Sequence, residues 1–308
     1  MKIGLYIFKL SILNARNIAF LLAFLASLIY GVSFTVAKDV MPLYIKPFGF
    51  IFIRVLGATA LFWIAGIFVK KEKIVINDFL RIFLASVFGI ALNMLAFFKG
   101  LSMTSPISAS VIMVTSPIIV LSFATIFLNE KATKKKISGI FIGMAGAALL
   151  IVYGQSFQLG DSEVLGNFLI MVNATSYALY LILIKNLSKK YHPLTFAKWL
   201  YLFGFILIIP FGLREFTEVN WTNVPQSALL SIGFITVFTT FLTYLFNLLA
   251  IRKLKPTTLS IFIYLQPVIA STYALIVGSD TLNLTKILAT ILIFIGVFLV
   301  TRKPKEEE

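Results

Sequence analysis

Cysteine is absent from the 308 residues and histidine occurs once. The first absence excludes a disulfide framework, a thiolate metal site and a thiol nucleophile. The single histidine, His192, precedes Pro193 in a basic stretch, so a histidine-built metal site or a Ser-His-Asp arrangement has no partners. No glycine-rich loop of the P-loop pattern occurs, which removes a nucleotide-driven engine from this chain. No cofactor and no metal are expected, and enzyme chemistry finds no support. Acidic residues are scarce, 12 against 27 Lys and Arg, and charged residues make up only 13% of the chain.

What fills the sequence is apolar. Hydrophobic residues reach 59%, with a mean hydropathy of +0.98, well beyond the soluble balance of roughly half apolar and a quarter charged. At ~20 residues per membrane span, the chain has room for about ten helices and no sizeable soluble domain. Breaks in the apolar runs place these helices near 17–37, 47–69, 79–100, 104–128, 137–153, 164–185, 194–213, 226–250, 256–279 and 285–301. Backbone groups in hydrocarbon must satisfy one another, and the runs lack the period-two alternation of a closed barrel. The expected class is an all-α polytopic membrane protein. The stretch from Ile18 to Tyr30 reads as its first helix and not as a signal peptide, because apolar spans continue behind it.

The net charge of +15 does not form a stripe for nucleic acid. Most Lys and Arg fall between alternate pairs of runs, as in Lys70, Lys71 and Lys73, Lys134 to Lys136, Lys189 and Lys190, and Arg252, Lys253 and Lys255. Positive residues in short loops stay cytoplasmic, so the tails 1–16 and 302–308 are both expected inside a cell (inner) membrane. Its partners are then the lipid bilayer and a small-molecule substrate, with no nucleic acid.

The chain repeats itself. A shift of 150 lays SMTSPISASVIMVTSP (102–117) over RKLKPTTLSIFIYLQP (252–267), matching Pro117 to Pro267, and further on Glu130 to Asp280 and Gly146 to Gly296. A shift of 147 pairs Tyr30 with Tyr177 and Lys38 with Lys185. The units are 17–153 and 164–301. Five helices per unit means that the second enters the membrane from the opposite side, the inverted repeat of many secondary transporters.

Proline at 117 and 267 removes a backbone hydrogen bond inside an apolar run, so a kink or break is expected at both. Matched interruptions in two halves point to a substrate site, although membrane helices also tolerate proline for packing alone. Ser116, Gln266, Asn93 and Asn247 stand beside these prolines or on neighbouring spans as polar contacts, with interhelical hydrogen bonding as the competing role. Arg54 lies within a span, Lys38 and Lys99 near outer helix ends and Lys185 near an inner one. A charge in hydrocarbon costs at least ~2.5 kcal/mol unless it faces a partner, water or the headgroups. No acid occupies the middle of a span, so a proton-relay carboxylate is not apparent. Gly139 and Gly143 have the GxxxG spacing of close helix packing, and such small-residue faces also suggest a homodimer.

These residues resemble the EamA-type transporters of the drug/metabolite transporter superfamily over nearly the whole chain. The likeness rests on IYGVSFTVAKDVMP with FIFIR ending at Arg54, and on LNEKATKKKISGIFIGMAGAALL. It also rests on the second-half SDTLNLTKILATILIFIGVFLV, which departs in Asp280 and Ala289. The resemblance implies ten helices, cytoplasmic termini, and a cavity lined chiefly by helices one, three, four, six, eight and nine. It also implies helix-end structural roles for Glu130 and Asp280. The function expected is alternating-access transport, export of an amino acid or related amphipathic compound. Exchange of a phosphorylated metabolite or nucleotide sugar, and a non-transporting scaffold or membrane-embedded enzyme, remain the rivals.

Overall fold

The computed structural model describes residues 14–38, 40–41, 43–104, 109, 112–152, 161–276 and 283–302, all in helices, turns or short links, with no strand among them. Long helices follow one another as α1 (Ala15–Lys38), α2 (Pro47–Ile67), α3 (Ile76–Leu101), α4 (Ser116–Leu128), α5 (Lys134–Val152), α6 (Asp161–Lys190), α7 (Pro193–Thr217) and α8 (Gln226–Lys253). The run α9 joins Pro256–Ser260, a tighter turn at Ile261–Tyr264 and Leu265–Ile276, and α10 is Leu284–Thr301. Among the described residues, eight helices are long and apolar enough to cross a membrane: α1, α2, α3, α5, α6, α7, α8 and α10. Phe141, Phe168, Phe211, Leu230, Phe294 and Phe298 point outward and are exposed, a surface that hydrocarbon accepts and water does not. The chain is a multi-pass membrane protein.

Proline sets several helix starts. Pro47, Pro117, Pro193 and Pro256 each stand in the first turn of a helix, where the ring fixes φ and the missing N–H would have lacked a partner anyway. The run 104–128 is interrupted beside Pro117, where the sequence predicts a kink or break: residues 112–113 are helical, 114–115 form a turn, and α4 starts at Ser116. It ends at Asn129, whose φ of 52° lies in the left-handed region. The Glu130 N–H bonds back to Ala124 O at 3.0 Å, closing the helix end.

Both α3 and α8 contain π-helical turns, Val87–Ala91 in the first and Ile235–Leu242 in the second. These starts differ by 148 positions, the internal-repeat distance. Such turns appear frequently at functional sites because they widen the helix and free carbonyls.

Two helix pairs frame the bundle. Helices α5 and α10 meet backbone to backbone, and a Cβ on Gly296 would fall 2.6 Å from Gly143 Cα. Gly139 and Gly146 face α10 in the same way. The glycine face is therefore filled within the chain, which leaves any homodimer to other surfaces. Helices α2 and α7 are pinned at both ends. Glu215 Oε2 on α7 accepts from the Phe48 and Gly49 N–H groups at 2.7 and 2.9 Å, capping α2 from outside its own chain segment. Lys46 bonds Glu218 at 2.8 Å beside it. At the other end Glu72 accepts from the His192 N–H at 2.8 Å. Arg16 Nη2 donates to Thr301 O at 2.9 Å, which brings the start of α1 and the end of α10 to one face.

Candidate functional site

Arg54 is buried on α2, 8% exposed, in a helix otherwise apolar. Its Nε donates to Thr240 Oγ1 at 3.0 Å, and its guanidinium lies over the Phe98 ring, 5.8 Å from the centroid. Thr240 belongs to the π-helical turn of α8, and its hydroxyl donates to Ile235 O at 2.9 Å. The side chains within electrostatic range of Arg54 are Tyr30, Tyr201 and Tyr244, with no carboxylate among them. Among the described residues this cation has no counter-charge.

Tyrosines surround it. Tyr201 and Tyr244 meet edge to face at 5.2 Å, and Tyr180 continues the row to Tyr177 at centroid distances of 6.2 and 6.5 Å. Two of these hydroxyls answer carbonyls in the two π turns: Tyr244 donates to Gly89 O at 2.8 Å and Tyr201 to Thr240 O at 3.3 Å, while the buried Tyr180 hydroxyl has no partner among the described residues. Ser176 Oγ similarly donates to Phe88 O at 2.6 Å. Gly89 is required here, since a Cβ would fall 2.3 Å from the Tyr180 ring. Ser33 and Thr239 share a hydroxyl hydrogen bond that ties α1 to α8.

Next to this layer lies a small cavity of about 20 Å³. Ser27 and Tyr30 of α1, Tyr177 of α6, Asn247 of α8, and Phe262 and Gln266 of α9 wall it. That volume holds about one water molecule. Polar groups from both halves of the chain converge on it.

The residues singled out from sequence divide accordingly. Asn247 and Gln266 line the cavity, and Arg54 stands one layer away through Tyr30. Asn93 does not join them: its Nδ2 donates to Asn173 O at 3.4 Å and Asn173 Nδ2 returns a bond to Asn93 O at 2.8 Å, clamping α3 to α6. Ser116 Oγ is buried and unpartnered at the head of α4, beside Pro117. Pro267 sits in the first turn of the last piece of α9, just past the tighter turn. Lys99 is exposed at the end of α3. Lys185 donates to Ile251 O and Leu254 O, so it neutralises the carbonyl end of α8 and does not reach the cavity. Glu130 is 5% exposed and bonds Lys136 Nζ at 2.6 Å. The Lys38 side chain and Asp280 lie outside the described residues.

Several participants were not singled out: Ser27, Asn173, Thr240 and the tyrosines at 180, 201 and 244. A signal existed for Tyr30 and Tyr177, which the 147-residue shift superposes and which both line the cavity. None existed for Thr240, because a threonine in an apolar run is ordinary.

The description "EamA-like transporter family" matches the chain twice, at residues 17–152 and 164–302. The chain belongs to the EamA-like transporter family. It is similar to the uncharacterized transporter YyaM of Bacillus subtilis, 29% identical over 275 residues, covering 88% of this chain and 89% of that protein. An uncharacterized transporter of Archaeoglobus fulgidus is 27% identical over 274 residues, covering 89% and 95%. A solved crystal structure at 15% identity superposes with a TM-score of 0.76 over 91% of this chain and 95% of that one, a likeness of fold. This member of the family is thus a membrane transporter in which Arg54 lies buried beside a small polar cavity, with no carboxylate partner among the described residues.

Proposed function

We propose that this transporter works by alternating access, with ten membrane spans arranged as two inverted five-helix halves, 17–153 and 164–301, and both termini cytoplasmic in the cell (inner) membrane. The observation that carries the reading is the matched irregularity of the halves. Each third helix has a π-helical turn, at Val87–Ala91 and Ile235–Leu242, and each fourth has a break at its proline, Pro117 or Pro267. Irregular backbone at membrane depth is tolerated where it is buried in protein or lines a cavity, and corresponding interruptions in two repeats mark the site around which transporter halves rock. The family model matching once in each half agrees with the same division.

The solute is a small amphipathic metabolite, such as an amino acid, moved outward. Arg54 supplies the electrostatic complement for a carboxylate, and Asn247, Gln266 and Ser27 supply hydrogen bonds. Without a mid-span carboxylate among the twelve acids, facilitated diffusion or exchange is the expected energetics. Purified protein in liposomes tests this directly. Counterflow of a labelled metabolite from a broad panel supports the reading, and its absence across the whole panel removes it in favour of a scaffold.

A further inference from the structure

A groove of about 490 Å³ opens where α1 begins and α6 and α8 end. Lys189, Arg252 and Lys253 stand around it, and Ile18, Leu22 and Leu249 form its apolar wall. Among the described residues, no carboxylate lines it or pairs with these three cations. Basic residues at helix C-termini ordinarily balance the helix dipole or follow the positive-inside rule, which explains their sign but not their convergence on one cleft.

The position of the groove supplies the further meaning. On α1, Ala15, Ile18, Ala19 and Leu22 face the groove, while Ala23, Ala26, Ser27 and Tyr30 face the cavity. Steps of three and four residues make this one continuous helix stripe. On α8, Arg252 and Leu249 face the groove and Asn247 the cavity. Groove and cavity therefore follow one another along the same two helices, with the Phe20–Phe262 stack at 6.3 Å packed beside their junction. Beyond the cavity stands Arg54. The line runs from three cations, through polar hydroxyls and amides, to a fourth cation, with no acid along it among the described residues.

We propose that this groove is the cytoplasmic capture site of the transport path, binding a solute with a carboxylate or phosphate head on Lys189, Arg252 and Lys253 and its apolar body against Ile18, Leu22 and Leu249. The inference rests on the alternating-access reading and deepens it by naming an anionic solute. The groove volume falls in the range of small-molecule pockets, whereas the cavity holds one water. The solute waits in the groove until the cavity widens. Clefts lined by one sign of charge raise the local concentration of the opposite ion and speed its arrival by about tenfold or more.

The absence of cysteine makes the test direct. Leu22→Cys places a lone thiol on the groove wall, and Ile18→Cys replaces it should that variant fail to fold; Leu21→Cys, on the exposed side of α1, is the control. Anionic sulfonatoethyl and cationic trimethylammonioethyl methanethiosulfonates are applied to inside-out vesicles, each rate normalised to that of a free thiol. The expected result is about tenfold preference for the anionic reagent at Leu22→Cys and none at Leu21→Cys. The preference should vanish in the Lys189→Gln, Arg252→Gln, Lys253→Gln background. Benzoate or inorganic phosphate should slow labelling, naming the head group, while benzamide should not. Equal rates for the two reagents, or no protection by either anion, would overturn the proposal. So would a thiol silent in phosphatidylglycerol membranes but reactive in phosphatidylcholine ones, which would assign the groove to a lipid. A charge preference that persists without counterflow in liposomes would instead remove the transport reading and leave an anion site.

Discussion

Glu218 accepts a hydrogen bond from Lys46 at 2.8 Å, and Glu72, 146 positions earlier, accepts one at the same distance from the N–H of His192, which itself lies 146 positions after Lys46. The two contacts are repeat equivalents placed at opposite ends of the α2–α7 pair. Both contacts are made in this structure. An alternating-access cycle opens one end at a time, so loosening either should bias the protein toward that side. In a Ser27→Cys background, Glu218→Gln is expected to raise labelling of the cavity thiol from the Glu218 face and Glu72→Gln from the other. The size expected is two- to fivefold, the scale of exposed ion pairs. Equal changes from both faces would show that these contacts stabilise the pair without gating it.

The Lys46–Glu218 contact also carries a pH signature. Hydrogen bonds from Lys46 and then Arg214 hold the Glu218 carboxyl below its ordinary value, while the bond to Glu218 lifts Lys46 above its own. A depressed carboxylate contributes above its unfolded value and loses that contribution as pH falls through the folded one; a raised lysine contributes below its unfolded value and loses it on the alkaline side. The difference in melting temperature between the native chain and Glu218→Gln should therefore stay flat from about pH 5 to about pH 10 and shrink outside that window. Melting curves in detergent across pH check it.

Arg54 should separate activity from stability. Arg54→Met removes a buried cation with no carboxylate in range, whose burial costs at least ~2.5 kcal/mol unless compensated. Thermal stability is expected to hold or rise, while counterflow of an anionic or zwitterionic solute falls about 10- to 100-fold and that of a neutral solute changes less. A loss of stability together with all transport would make Arg54 a folding residue.

Gly296→Ala should cost about 1–3 kcal/mol by overpacking, since its Cβ would fall 2.6 Å from Gly143 Cα. Gly233→Ala has nothing within 4 Å of the added methyl and should be neutral or slightly stabilising. Paired denaturation curves decide, and an equally tolerated Gly296→Ala would mean that α5 and α10 separate easily.

Lys136→Met should cost about 3–5 kcal/mol by leaving Glu130 buried without its cation, and adding Glu130→Gln should recover a good part of that loss. The side chains are only 10% and 3% exposed. A double variant no better than the single one would place the energy in packing and not in charge.

The helices were readable in the sequence because hydrocarbon imposes one solution on a long apolar run. Where reading failed, backbone chemistry was the cause. The run 104–128 carries no charge, and hydropathy alone does not reveal that α4 starts at Ser116. The matched Pro117 and Pro267 did point to broken helices. Within the site, Asn247 and Gln266 stood out as amides in apolar surroundings, and both wall the cavity. Asn93 carried the same signal and serves instead as a clamp to Asn173. A lone amide gives no direction, since its helix face is fixed only by the neighbour it meets. The π turns left no compositional trace, so Thr240 and Tyr244 became meaningful only once Arg54 and the Gly89 carbonyl were placed against them.

The π-helical run of α8 fixes a phase. A regular helix turns by about 100° per residue, so each residue absorbed in a wider turn sets the downstream half of the helix at a new angle to the upstream half. Asn247, Leu249 and Arg252 all follow Ile235–Leu242 and take their heading from it. Were one residue cut from that run, α8 could close into ordinary α-helix and swing Asn247 off the cavity and Arg252 off the groove together. The length of one turn would then act as the setting of a dial shared by both compartments.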